Sequence, residues 1–322
     1  MRPDQNRLAA LESEQSRAVE IGEAGDPRQA VALLEDLLRT YVHEFGDDHL
    51  GTLDAREELV HWIGEAGDPL AAAAETRKVL DIRRRVQGTD HPKTLYTWHT
   101  LTYWTGESGH PRSAAEMSAE LLPLREKVLG AEHPETLVTR HRAAYWTGEA
   151  GDPGIAAEAL RELLPIRERV LGAEHPHTLT TRHELARRIG ESGDPEAATE
   201  ALRELLPIRE RVLGAEHPHT LTTRHELARW VGQAGDPRAA ADMLRELLPL
   251  RQRAQGVTHP RTLTTSHELA FWLAETGAVA EALVVLDDLL PVRAEKLGDD
   301  HPHTIATAEL RTRLRDRKER DR

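Results

Sequence analysis

At 322 residues the chain has room for about two ordinary domains, yet its hydrophobic content is 39%, its aromatic content only 4% and its charged content 30%. A core of Leu, Ala, Val and Ile suits helix faces better than a large sheet, which draws on aromatic and β-branched residues. The absence of cysteine excludes disulfides, thiolate zinc sites and cysteine nucleophiles and fits a reducing, cytoplasmic setting. A net charge of −13 opposes duplex nucleic acid, and no stretch reads as a secretion signal or membrane span.

Residues 1–10 form an N-terminal segment, and the pattern from Leu11 to Gly25 reads as a first helix. From there the chain repeats itself with a period of 42. Glycine recurs at Gly25, Gly67, Gly109, Gly151, Gly193, Gly235 and Gly277, and His-Pro at His91, His133, His175, His217, His259 and His301, with His49-Leu50 as the degenerate first copy. The segment Glu158 to Arg187 is identical to Glu200 to Arg229, a sign of recent duplication or deliberate design. Periods of this length mark repeat architectures, in which each unit buries its apolar faces only against its neighbours.

Within the fifth unit the punctuation predicts two helices. Helix A runs from about Pro176 to Ser192. Gly193 then takes a left-handed C′ position, Asp194 caps the next helix and Pro195 occupies its first turn. Helix B runs from about Pro195 to Leu213, where Gly214 ends it. Its interior proline, Pro207, has counterparts at Pro123, Pro165, Pro249 and Pro291; an interior proline costs a helix about 3 kcal/mol, so a repeated kink is expected. On helix A, 100° steps put Leu179, Leu185, Ala186 and Ile189 on one side, with Thr180, His183 and Arg187 opposite. The last helix, from Ile305 to about Arg322, starts like another helix A and becomes heavily charged, as a cap should: Arg311 to Arg322 holds seven basic and three acidic residues.

These residues resemble the tetratricopeptide repeat in its long, 42-residue variety, known from kinesin light chains and abundant in actinobacterial proteins. Counting Leu221 as position 1, the packing positions of that family are met in the sixth unit by Leu227, Ala228, Val231, Gly235, Ala240 and Leu244. The run from Leu206 to Pro218 looks like the end of its helix B and the following loop. The tryptophan frequent at position 4 is Arg182 and Arg224 here and survives only as Trp98, so arginine stems are expected along the core edge with their heads in water. The resemblance implies an all-α, right-handed α-solenoid of seven helix-turn-helix repeats (11–52, 53–94, 95–136, 137–178, 179–220, 221–262, 263–304) plus a C-terminal capping helix and basic tail, 305–322. It also implies that the A helices make a concave wall, through positions 2, 5, 9, 12 and 13, that holds peptides or partner domains. Bacterial relatives often place such arrays behind signalling ATPase modules, and no such module is present in this sequence.

Position 5 of that wall is His99, His141, His183, His225 and His267, and position 9 is Tyr103, Tyr145, Arg187, Arg229 and Phe271. Spaced i, i+4, each pair shares one helix face, so the stripe can stack on or hydrogen-bond an extended acidic or aromatic peptide; the bland reading is a solvated face copied by duplication. Imidazoles titrating near pH 6.5 would tighten acidic-peptide binding between pH 8 and 6. Gly64, Gly106, Gly148, Gly190 and Gly232 at position 12 admit either a ligand backbone or close helix packing. The tryptophans at position 10, namely Trp62, Trp104, Trp146, Trp230 and Trp272, favour packing between repeats. The His-Pro histidines read as loop architecture, and the His-Pro-His triplets ending at His177, His219 and His303 as a weak metal signal.

Catalytic signatures fail. His183-Glu184-Leu185-Ala186-Arg187 begins like the zinc protease motif but has Arg187 where the second histidine belongs, with Arg229 and Phe271 in the next two units. No nucleophile elbow, phosphate loop or dinucleotide fingerprint occurs. The sequence therefore favours a non-enzymatic interaction scaffold without cofactor or metal, contacting a protein or peptide and neither nucleic acid nor membrane. Association between copies through the repeat ends stays open. The alternatives are a ligand-sensing module of a signalling ATPase system and, remotely, a metal-dependent enzyme on the histidine stripe.

Overall fold

The protein is described from a computed structural model covering residues 2–320. Among these residues every regular element is an α-helix: α1 (Arg2–Glu23), α2 (Pro27–Phe45), α3 (Leu50–Glu65), α4 (Pro69–Val86), α5 (Pro92–Glu107), α6 (Pro111–Leu129), α7 (Pro134–Glu149), α8 (Pro153–Leu171), α9 (Pro176–Glu191), α10 (Pro195–Leu213), α11 (Pro218–Gln233), α12 (Pro237–Gln255), α13 (Pro260–Glu275), α14 (Val279–Leu297) and α15 (Pro302–Arg320). Odd-numbered helices are the A helices and even-numbered ones the B helices. α1 starts ahead of Leu11, so its first turns lie within the N-terminal segment.

The chain divides into two compact units, 1–159 and 160–322, with the boundary inside α8. In the first, α1 to α7 pack each on the next, and Leu11, Ala30, Leu34, Tyr41, Ala55 and Trp62 form one buried cluster. In the second, α9 to α15 do the same, around Leu179, Ala186, Leu202, Leu205 and Trp230, and then around Leu244, Ala270, Leu286 and Leu310.

The turns follow from their residues. Gly193 has φ of 104°, a conformation that costs glycine little and other residues more. There its N–H reaches the Gly190 carbonyl at 3.0 Å and the Asp194 N–H reaches Ile189 at 3.2 Å, satisfying the last carbonyls of α9 in a Schellman pattern. The Asp194 carboxylate accepts the Ala197 N–H at 2.9 Å and caps α10. At the other turn histidine is the cap: His217 Nδ1 accepts the His219 N–H at 3.2 Å. The same bond recurs at His49, His91, His133, His175, His259 and His301, which gives the His-Pro histidines their structural role. Pro123, Pro165, Pro207, Pro249 and Pro291 lie inside α6, α8, α10, α12 and α14, each of which remains one continuous helix.

Candidate functional site on the A-helix face

Position 10 and position 12 together form a joint. A Cβ placed on Gly190 would lie 2.6 Å from the Trp230 ring of the next A helix, and one on Gly232 would lie 2.6 Å from Trp272. Gly22, Gly64 and Gly106 meet Trp62, Trp104 and Trp146 in the same way. The helical glycines are thus seats for the indole of the following repeat, which settles the choice between ligand access and packing at Gly64, Gly106, Gly190 and Gly232. The tryptophans are correspondingly buried.

Position 4 behaves partly as its stems suggest. Arg140, Arg182 and Arg224 lie along the core edge, but their heads are held by Glu126, Glu168 and Glu210 at 2.5, 2.5 and 2.6 Å rather than left to water. Where Trp98 survives, the Arg84 guanidinium lies over its ring at 4.2 Å.

Beneath the A-helix face runs a feature the sequence reading passed over. Arg83, Arg125, Arg167, Arg209, Arg251 and Arg293 recur with period 42 in the B helices, and each is only 1–2% exposed. Arg209 shows the pattern: Nη1 donates to the His219 carbonyl at 2.9 Å and to Thr223 Oγ1 at 2.7 Å, and Nη2 to the Leu179 carbonyl at 3.0 Å. One guanidinium thus ties α10 to α9 and to α11. Burial holds Arg167, Arg209 and Arg251 down to about 10, so all three remain cations at neutral pH. The signal for them in the sequence is their constant register, one arginine at the same position of six B helices.

Five of these arginines, Arg125, Arg167, Arg209, Arg251 and Arg293, lie in the repeats whose position 5 carries the predicted histidine. In the second repeat that position is Glu57, which accepts from Arg83 Nε at 3.1 Å and Nη2 at 3.0 Å. In later repeats the carboxylate is replaced by an imidazole that must sit near a cation. Burial, and then Arg125 and Arg142, push His99 down to about 3. Burial, and then Arg209 and Arg187, do the same for His183, while burial and Arg293 hold His267 at about 4. The Nδ1 atoms of His99 and His183 are buried without a hydrogen-bond partner. These three rings are therefore neutral throughout pH 8 to 6, and the expected charging over that interval does not apply to them. His225 is buried, with Nδ1 3.3 Å from Thr265 Oγ1 and Nε2 3.4 Å from Glu268. His141 is half-buried.

The position 9 side chains are unequal. The Arg142 guanidinium lies over the Tyr103 ring at 5.2 Å and near Tyr145 at 6.0 Å, bringing α5 and α7 together. Arg187 donates from Nε to Glu191 at 2.9 Å, whereas Arg229 sits over the Trp230 ring at 4.8 Å. Phe271 is exposed and edge-on to Trp272 at 4.8 Å. In the first unit the A helices thus offer the half-exposed rings of Tyr103 and Tyr145, with His99 neutral beneath; in the second they offer the Arg229 guanidinium and the exposed Phe271 ring, with His183 and His267 neutral, and buried cations underlie both. Among the described residues no helix is long and apolar enough to cross a membrane, and no group of three or more His, Asp or Glu is placed to hold a metal ion.

Comparison with known proteins agrees with this architecture. Two family models described as tetratricopeptide repeat match, one over residues 189–253 and the other over 136–177 and 262–303. A solved structure of nearly identical TPR-like repeats of a kinesin light chain from Podosopora anserina is 30% identical, covering 64% of this chain and 97% of that one with a TM-score of 0.56. BtubC from P. vanneervenii is 17% identical over 80% of this chain and 93% of its own, with a TM-score of 0.55. A STAND signal transduction ATPase with a tetratricopeptide repeat sensor, from Pyrococcus horikoshii, is 14% identical over 96% of this chain and 46% of its own, with a TM-score of 0.63. No curated protein sequence matches the chain. With its period, its capped helical pairs and its likeness to kinesin light chain repeats, the chain belongs to the tetratricopeptide repeat family.

Proposed function

We propose that the chain is a non-enzymatic scaffold that binds an extended peptide segment or a partner domain on its A-helix face, through His99, Tyr103, His141 and Tyr145 in the first unit or through His183, Arg187, His225, Arg229, His267 and Phe271 in the second. The observation that carries this reading is the layering at positions 5 and 9. Half-exposed Tyr103 and exposed Phe271 stand one turn from His99 and His267, which are kept neutral, and half-exposed Tyr145 and Arg229 one turn from His141 and His225, with buried guanidiniums below. Arg209 and Arg293 bond only to carbonyl and hydroxyl oxygens. A carboxylate on the ligand gains from that cationic layer, and its rings gain stacking area on a surface fixed within each unit by its own tryptophan joints, so little ordering cost falls on the scaffold.

The test uses a panel of labelled acidic and aromatic peptides, read by fluorescence anisotropy against the full chain and against Tyr103→Ala/Tyr145→Ala/Arg229→Ala/Phe271→Ala. Capture should fall in the fourfold variant while its helical circular dichroism is retained. Undiminished capture would place the ligand elsewhere. Because His99, His183 and His267 stay neutral, affinity should be unchanged by them between pH 8 and 6.

A further inference from the structure

α15 has the register of an A helix, and among the described residues no B helix packs on its far side as α14 packs on α13. Where Gly277 turns α13 into α14, the corresponding residue of α15 is Glu319, which lies within the helix that runs to Arg320. One side of α15 is well packed on α14. Leu310 and Leu314 join its core, and Arg293 Nη1 donates to the His303 carbonyl at 2.8 Å and to Thr307 Oγ1 at 2.6 Å. The side that in earlier repeats lies against the repeat's own B helix is uncovered among the described residues. Ile305 at position 1 is 44% exposed, while its equivalents Leu179, Leu221 and Leu263 are between 0% and 4% exposed. With Leu290, Ala308, Glu309 and Thr312 it lines a groove of about 650 Å³.

The acceptors on that side have a defined complement elsewhere in the molecule. In α9, α11 and α13 the position 1 carbonyl accepts from the buried arginine of the following B helix, at 3.0, 3.2 and 3.1 Å. In α3 a carboxylate at position 5, Glu57, takes two bonds from the equivalent arginine, Arg83. α15 carries both acceptors, the Ile305 carbonyl and the exposed Glu309 carboxylate, one turn apart on the groove wall. A charge-assisted pair of this kind is among the stronger polar contacts, and the apolar surface beside it matches the leucines that precede each arginine, such as Leu202 and Leu205 before Arg209.

We propose that this face of α15 is the docking site for an amphipathic helix of a partner protein, one that presents two apolar residues three apart and an arginine four residues further on. The apolar pair covers Ile305 and Leu290, and the arginine pairs with Glu309 as Arg83 pairs with Glu57. The occupant continues the B-on-A packing that the chain already makes in its own repeats. Because the basic end of α15 carries Arg313, Arg317 and Lys318, the rest of the partner helix is acidic by charge complementarity.

The probe is a labelled peptide of the α10 sequence, residues 195–213 with Pro207→Ala to restore helix propensity, titrated against the full chain by fluorescence anisotropy. Saturable binding is expected, weakened about ten-fold when the peptide carries Arg209→Leu or the chain carries Glu309→Gln, and lost with Ile305→Glu. Glu309 and Ile305 are both exposed, so the variants should melt like the parent by circular dichroism. The proposal is overturned by absence of binding, or by binding that neither Glu309→Gln nor Ile305→Glu weakens. It is equally overturned if the chain alone sediments as a dimer that Ile305→Glu dissociates, since a second copy would then cover the face.

Discussion

α9 and α11 begin with the same twelve residues, Pro-His-Thr-Leu-Thr-Thr-Arg-His-Glu-Leu-Ala-Arg, and diverge only in their last four, Arg188-Ile-Gly-Glu191 against Trp230-Val-Gly-Gln233. In α11 the indole of Trp230 fills the seat above Gly190. In α9 position 10 is a buried guanidinium, which donates to Glu184 and to Glu191, each at 2.7 Å. Glu191 in turn holds Arg187 at 2.9 Å, while its counterpart in α11 is the neutral Gln233. The identical arginine at position 9 is thus tied down in one helix, its side chain 25% exposed, and lies on an indole in the other, 34% exposed. What a residue on the A-helix face can offer a ligand is therefore set by the residue beside it, not by its own identity.

The largest effect follows from removing either device. Trp230→Ala should cost about 3–5 kcal/mol of stability by emptying the seat. Arg188→Ala, which leaves the buried Glu184 carboxylate without that partner, should cost about 3 kcal/mol. Denaturant melts of both variants would check this, and a loss below ~1 kcal/mol for Trp230→Ala would contradict the joint. Next comes the glycine. Gly190→Ala should destabilise by about 1–3 kcal/mol because its methyl meets a rigid ring. In a Trp230→Ala background the same change should become neutral or stabilising by up to about 1 kcal/mol, as alanine is the better helix former.

A pH effect of intermediate size is expected. The folded chain holds His99 and His183 at about 3 and His267 at about 4, against an ordinary value of 6.5. Below pH 6.5 the unfolded chain therefore binds protons that the folded chain refuses. Stability is complete above about pH 6.5 and falls as the pH drops towards 4, by ~1.4 kcal/mol per pH unit for each such histidine. His183→Asn should flatten that slope in urea melts taken between pH 7 and 4; an unchanged slope would contradict the burial of its ring. The smallest effect concerns binding. Arg229→Ala should weaken capture of an acidic peptide by about three- to ten-fold, in line with one exposed charged contact, and Arg187→Ala should do less.

The fold was legible because glycine, proline and the His-Pro step recur at one period, and local turn chemistry converts each of them into a helix end. The tryptophan and glycine joint was half legible. Position and residue type marked it, but only the distance between successive A helices decides whether the glycine receives a ring or a ligand. The protonation of the histidines could not be read from the A helices, because it depends on arginines 26 residues further on, in the B helices, as His183 and Arg209 illustrate. Nor could Arg187 and Arg229 be told apart while each was taken by itself.

Hydrogen exchange on the full chain, with and without a peptide captured from the acidic panel, tests the central assignment most directly. Ligand-induced protection should concentrate in α11 and α13 of the second compact unit, or in α5 and α7 of the first, and should fade when Tyr103, Tyr145, Arg229 and Phe271 are replaced by alanine. Protection confined to the B helices, with the A helices unchanged, would contradict it.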